Sequence, residues 1–227
     1  MDRNGLLGAL ALLAVLAAGC QHDVATLFPP GLEPFDDDAM AGAVDAPVAE
    51  ALVMTDTTDS LVRVYGHGYV FVPVATAWQA AQDPHTLIAR CRTNAQAITP
   101  NDETGYDLDF LVHYTVNDVL TIEWDDQYRG DVIAVGVGSA QMPGSGSADE
   151  PSRTIIKHQK TGGSSFITTS EGTTQMLANA DDSVTELQFV EHLGALQQPV
   201  DQVRAGMQDE FDRLLATVHG DATPACP

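Results

Sequence analysis

The sequence predicts an α+β domain: a curved antiparallel sheet of about six to seven strands, two short helices after the first strand, and a long C-terminal helix packed on the sheet. Three observations point there. Residues 61–74 and 106–125 alternate apolar and polar side chains with the period of two that a half-buried strand requires. Tight-turn signals separate further β-rich stretches as far as residue 193, so neighbouring strands can run antiparallel. Finally, Val200, Val203, Met207, Phe211, Leu214, Leu215 and Val218 form one stripe at helical spacing.

In the first strand, Val62, Val64, Val70 and Val72 share one parity, while Arg63, Tyr65, His67 and Tyr69 take the other. Gly66 and Gly68 flank His67 and read as a bulge or bend. Pro73 stops the strand, and Ala75 to Ala81 has a helix-forming composition closed by Pro84. A second short helix is expected over His85 to Arg90. From Tyr106 to Asn117, Leu108, Phe110, Val112, Tyr114 and Val116 face one way, with Asp107, Asp109 and His113 opposite. After the Asn117-Asp118 turn, Leu120, Ile122 and Trp124 share a face against Thr121, Glu123 and Asp125. Asp131 to Gly138 reads as a separate, more apolar strand, and Gln141 to Ser152 as a loop. Arg153 to Gln159, Phe166 to Ala178 and Val184 to Leu193 complete the sheet, with Gly162-Gly163 and Ala180-Asp181-Asp182 as turns. The closing helix begins after Pro199, carries Asp201, Asp209, Glu210 and Asp212 on its polar face, and ends at Gly220. An apolar sheet face must be covered, and this helix is the one element large enough to cover it, a helix-grip arrangement.

The domain is preceded by segments of another kind. Arg3 is followed by an uncharged apolar run from Gly5 to Ala18 and then by Gly19-Cys20. This is a secretory signal layout, too short to match a bilayer core of about 20 apolar residues. Leu16-Ala17-Ala18-Gly19-Cys20 resembles a bacterial lipobox, with Ala17 where the leucine usually stands. The resemblance implies a signal peptide over 1–19 and acylation of Cys20; an ordinary cleaved signal with a chance cysteine is the alternative. Gln21 after the cysteine, in place of Asp, resembles the default for outer-membrane delivery facing the periplasm. Residues 21–59 hold nine acidic side chains, including Asp36-Asp37-Asp38, four prolines and no Lys or Arg. Such a composition cannot bury enough surface to offset chain entropy. Residues 20–59 therefore read as a lipidated cysteine and disordered tether, spanning on the order of 35 Å. A domain over 60–220 follows, and 221–227 form a tail.

The 227-residue chain has 10 Lys+Arg against 32 Asp+Glu, a formal net charge of −22. That balance excludes nucleic acid as a natural partner, since phosphate binding needs a basic stripe. It also disfavours docking on anionic lipid by charge, leaving acyl chains on Cys20 as the membrane contact. Cys91 and Cys226 can pair in an oxidising compartment, although spacing alone does not establish the bond. The seven histidines show no His-x-His or His-Glu-x-x-His spacing, so no metal or cofactor is expected. Gly144-Ser145-Gly146-Ser147 lacks the strand-to-helix elbow of a nucleophile, and Gly162-Gly163-Ser164-Ser165 lacks the lysine of a phosphate loop. Asp125 and Asp126 are adjacent on a strand and face opposite ways. Glu171 and Glu186 read as solvent-side, His113 as exposed, and His192 as lacking a fixed partner, so no convergent catalytic set emerges.

Val70-Phe71-Val72-Pro73-Val74-Ala75-Thr76-Ala77-Trp78 followed by Asp83-Pro84, then Thr185-Glu186-Leu187-Gln188-Phe189 and the closing helix, resemble the START-like (SRPBCC, polyketide-cyclase-like) superfamily. The resemblance covers 60–220 and implies an apolar cavity between sheet and helix for a lipid-like or polyketide-like molecule. By parity, its lining would draw on Phe110, Val112, Tyr114, Ile122, Trp124, Leu187, Phe189, Met207 and Phe211, unless these simply fill the core. Three functions follow: a lipid-anchored carrier of a small hydrophobic molecule, an interaction module with a packed interior, or a cyclase- or hydrolase-type enzyme, with His192 and Tyr114 as the residues to test.

Overall fold

A computed structural model describes residues 49–88, 91, 95–101, 105–117, 121–132, 153–178, 182–195 and 200–225. Strands β1 (Leu52–Thr58) and β2 (Val62–Val70) lead into helices α1 (Val74–Ala81) and α2 (Pro84–Leu87). Strands β3 (Ala95–Pro100), β4 (Leu108–Asn117), β5 (Thr121–Val132), β6 (Arg153–Gly163), β7 (Ile167–Ala178) and β8 (Thr185–Ala195) follow, and α3 (Val200–His219) closes the order. The strands form one eight-stranded sheet in the order β1-β2-β8-β7-β6-β5-β4-β3. Every neighbouring pair is antiparallel. The chain thus crosses the sheet once, through α1 and α2, and returns as a six-strand meander. This is the helix-grip architecture.

The period-two alternation holds in β2 and β4. Val62, Val64 and Val70 are buried, as are Leu108, Phe110, Val112 and Tyr114. In α3, Met207, Phe211 and Leu214 are buried, and Val200, Val203, Leu215 and Val218 pack beside them. Helix α1 buries Val74, Ala77, Trp78 and Ala81, the i, i+3, i+4, i+7 face of an amphipathic helix. Asp83 caps α2 by accepting the His85 backbone N–H at 2.9 Å, with Pro84 in the first turn, where its missing N–H costs nothing. Arg213 of α3 donates to the His85 carbonyl at 2.7 Å, tying the two helices together.

Five expectations need correction. Strand β1 lies inside the segment assigned to the tether, which therefore ends before Leu52; Leu52 and Met54 pack on the core while the strand pairs with β2. Its weak pattern, with mostly exposed side chains, hid it from periodicity. Strand β3 is likewise short and lies at the opposite edge. Residues 121–132 form one strand that takes in Asp131 and Val132; the rest of the strand expected to Gly138 and the loop expected over Gln141 to Ser152 lie outside the described residues, among which eight strands stand against the six to seven expected. Helix α2 spans Pro84–Leu87 and stops short of Arg90, because Ile88 adopts an extended conformation.

The glycines of β2 make neither bulge nor bend, since β2 keeps register with both neighbours throughout. They let α3 approach. A Cβ on Gly66 would meet Met207 Sδ at 2.5 Å, and one on Gly68 would meet Phe211 Cε2 at 2.9 Å. Two successive inward positions without side chains form a trough for the helix's largest apolar groups. Gly130 does the same for Trp78, whose ring would lie 3.1 Å from an added Cβ.

Candidate functional site

The inner face of the sheet has two halves of different character. Under α1 and the middle of α3 it is apolar and closed: Leu187 and Met176 are fully buried and Phe189 nearly so, beneath Met207, Phe211 and Trp78. The other half carries polar side chains on inward positions. One rung runs from Phe110 through Tyr128, His158 and Gly172 to Glu191. The rings stack along it, Phe110 on Tyr128 at 4.8 Å and Tyr128 on His158 at 5.0 Å between centroids. His158 Nε2 then meets Glu191 Oε2 at 3.1 Å, crossing over β7.

Gly172 makes that crossing possible. A Cβ there would stand 2.5 Å from His158 Cε1 and 2.7 Å from Glu191 Oε2. Absence of a side chain on the intervening strand brings together two groups that a sheet ordinarily keeps two strands apart.

Around this pair lie further titratable groups. Tyr114 and Tyr128 share a hydroxyl–hydroxyl bond of 2.9 Å, and Tyr114 stacks on Trp124 at 4.9 Å. Asp126 Oδ2 accepts from Trp124 Nε1 at 3.1 Å and from Ser170 Oγ at 3.2 Å. Its other oxygen, Oδ1, is buried without a hydrogen-bond partner. Buried Lys160 stands opposite Asp126 in the register. From above, Glu210 of α3 reaches β7, where Thr174 Oγ1 donates to it at 3.0 Å.

Burial sets the proton affinities, because it disfavours whichever form is charged. It pushes Asp126 up to about 7 against the opposing pull of His158 and its two donors. It lifts Glu210 to about 7, opposed by Thr174, His158 and Arg213. Burial alone would depress His158, but the Glu191 carboxylate, with Asp126 and Glu210 behind it, outweighs that and raises it to about 9. Both tyrosines are driven well above their ordinary value, first by burial; next in order come the Asp126 charge for Tyr114 and Tyr114 itself for Tyr128.

The pair at the centre is not sealed. The His158 and Glu191 side chains keep 15% and 25% of their surface accessible. Both sit on the inward face of central strands, where the sheet blocks every other approach. The exposed area lies on the face that α3 covers, where Tyr128 stacks on His158 and Glu210 acts on it from the helix.

Of the residues the sequence pointed to, Phe110, Val112, Leu187, Phe189, Met207 and Phe211 come together in the closed core. Tyr114 sits at the junction with the polar half; Trp124 is half-buried beside Asp126, and Ile122 is half-buried farther out on β5. The sequence pointed to no convergent catalytic set; the structure gathers His158, Glu191, Asp126 and Glu210, which sequence reasoning had not brought together. His192 does have a partner: Nδ1 lies 3.3 Å from Glu171, on the outer face and away from that cluster. Glu171 and Glu186 face outward as expected but are part-buried against His192 and His67. Asp125 turns out to His113 at 2.8 Å while Asp126 turns in. A signal for the missed set was present, in polar residues on apolar parities: Asp126 beside Trp124, His158 beside Ile156, Glu191 beside Phe189.

No family model matches the chain, and no curated protein sequence matches it. Solved structures do resemble it. The Zhui aromatase/cyclase from Streptomyces sp. R1128 is 14% identical over 70% of this chain and 92% of its own, with a TM-score of 0.41. Ara h 8.0201 is 13% identical over 71% and 99%, at 0.45. The human StarD13 lipid transfer and protein localization domain is 8% identical over 78% and 91%, at 0.41. Likenesses at this level decide nothing about ligand or reaction, which have to follow from the chain's own residues.

Among the described residues no group of three or more His, Cys, Asp or Glu side chains is arranged to hold a metal ion. Cys20, the signal over 1–19, Gly144-Ser145-Gly146-Ser147 and Cys226 lie outside the described residues. Cys91 is disulfide-bonded, with its Sγ 3.3 Å from Asp209 Oδ1 on α3.

Proposed function

We propose that the domain is a START-like binding module that holds a small, mainly apolar molecule between its sheet and α3. The polar end of that molecule would rest on the His158 cluster. The observation that carries this reading is the incomplete burial of His158 and Glu191 on the inward face of central strands. A packed interior would cover that face entirely. Apolar walls with a few convergent polar groups are the usual make-up of a small-molecule site. Titration of the full chain with a neutral solvatochromic dye tests it. Saturable one-to-one binding with quenching of tryptophan emission is expected; unsaturable, non-stoichiometric fluorescence overturns the reading.

A second reading, acid–base turnover of the bound molecule, is favoured by one observation. Asp126 and Glu210 exchange protons near neutral pH beside a cationic His158. Turnover lost in Asp126→Asn with binding retained would establish it.

For location, the lipobox-like segment supports acylation of Cys20, with residues up to 51 as the tether and the domain held at the outer membrane facing the periplasm. Substituting Cys20 by Ala should move the protein from the membrane to the soluble fraction. The bond of Cys91 is assigned to Cys226, which peptide mapping without reduction checks.

A further inference from the structure

Strand β1 is fastened by the helix as well as by the sheet. Its one strand neighbour is β2, and of its side chains only Leu52 and Met54 are half-buried. Helix α3 grips it at two places. Arg204 Nη1 donates to Asp56 Oδ1 at 2.6 Å and to the Met54 carbonyl at 3.4 Å. In the last turn of α3, His219 Nε2 lies 2.8 and 3.1 Å from the two carboxylate oxygens of Glu50, just ahead of the strand. Glu50 also accepts the Phe71 backbone N–H at 2.6 Å, past the end of β2. The spans match: Arg204 to His219 rises roughly 22 Å along a helix, and Glu50 to Asp56 covers roughly 20 Å of extended chain. Strand and helix therefore lie alongside each other, latched at corresponding ends.

What β1 covers is the seam between β2 and α3. Leu52 Cδ1 lies 3.2 Å from where a Cβ on Gly66 would stand and 3.4 Å from one on Gly68, the two points that Met207 and Phe211 approach from the helix. Leu52 thus closes the outer side of the glycine trough. The turn after β1 is fixed independently of the latches: Asp59 accepts the Leu61 N–H at 3.1 Å and Arg63 Nη1 at 2.8 Å. Both latching pairs are part-exposed, and pairs of that kind hold weakly. A strand with one neighbour, few buried contacts and a fixed turn at one end is an element that opens locally. Its free end is where the chain arrives from residues 1–48.

We propose that β1 is a releasable strap: freed from Arg204 and His219, it swings away about the Asp59–Leu61 turn and opens the seam between β2 and α3 while the rest of the sheet stays folded. The opening bares Met207 and Phe211 and gives a small apolar molecule a way to the interior. Release stands on the geometry of β1 alone; passage of a molecule rests on the binding-module reading above. Because the chain enters at Glu50, a pull on the acidic segment works on the His219 latch first and peels the strand from Leu52 onward.

Hydrogen exchange of the full chain, read by mass spectrometry, tests the release without any ligand. Residues 52–58 should exchange at least about tenfold faster than those of β7 and β8, whose protection reports opening of the whole domain. In an Arg204→Ala, His219→Ala double variant, β1 should exchange a further three- to tenfold faster, about the factor two part-exposed pairs support, with β7 and β8 unchanged. Protection of β1 equal to that of β8, a variant that leaves β1 unchanged, or one that speeds all strands alike would each overturn the strap. Stopped-flow mixing with the neutral solvatochromic dye tests the passage. Its association and dissociation rates should rise by the same factor in the variant, leaving affinity unchanged, because the latches lie on the route and not at the bound molecule. Unchanged dye rates beside faster β1 exchange would overturn the route and leave the binding-module reading standing. No binding of the dye to the natural chain would overturn that reading and the passage, with the exchange result still deciding the strap.

Discussion

Replacing Asp126 by Asn isolates the energetic cost of keeping an acid in the buried cluster. The carboxyl titrates at about 7 in the folded chain against 3.8 when exposed, with burial as the largest cause. A carboxyl whose folded value is raised holds its proton more tightly in the folded state. Its contribution to stability is therefore greatest below the unfolded value, falls as pH rises from about 4 to 7, and stays low above that. A shift of roughly 3 units at about 1.4 kcal/mol each puts the ceiling of that loss near 4 kcal/mol. Asparagine keeps an acceptor for Trp124 Nε1 and Ser170 Oγ but has no charge to desolvate. The variant should be more stable than the natural chain at pH 8 and close to it at pH 4. If half the ceiling is realised, about 2 kcal/mol, the melting temperature rises by roughly 4–8 °C in a domain of this size. Thermal melts followed by circular dichroism at pH 4, 6 and 8 measure it. A shift independent of pH, or a variant less stable at pH 8, would refute the argument and mean that Lys160 neutralises Asp126 fully.

His158 should titrate near 9 by NMR of its ring protons, and Glu191→Gln should drop it below its ordinary 6.5, because burial then acts with less opposition. Its share of stability is complete below about 6.5 and is lost as pH rises through about 9, so the natural chain should weaken steadily from mildly acidic to alkaline conditions. Gly68→Ala should cost about 1–3 kcal/mol in denaturant melts, since the new methyl meets Phe211 at 2.9 Å and the Ala51 carbonyl, which is backbone, at 3.0 Å. A neutral result would show that α3 does not seat in the trough. Phe211→Ala should cost about 3–5 kcal/mol by the same measurement, as expected for a large ring removed from a buried position.

Much of the architecture could be read along the chain, because it rests on local periodicity. The inward sets of β2 and β4 and the stripe of α3 follow from which residues a pleat or a helical turn must place together. Pro73, Asp83-Pro84 and Gly220 mark boundaries for equally local reasons, through fixed φ, a side-chain cap and a φ of 70°. The edge strands β1 and β3 escaped because half-exposed edges carry little alternation.

What tertiary structure alone decided is where strands distant in sequence fall beside one another. Ordering the sheet β8-β7-β6-β5 sets His158 two strands from Glu191, and nothing near either residue says that the strand between them offers Gly172 at that rung. The descent of α3 then adds Glu210 from a helix face that looks solvent-directed in the sequence. Burial, which moves the proton affinities of these groups, belongs to the assembled interior and to no segment of the chain. The sequence by itself determined a sheet, a covering helix and an acidic chain; packing decided that acidic and aromatic side chains meet between sheet and helix.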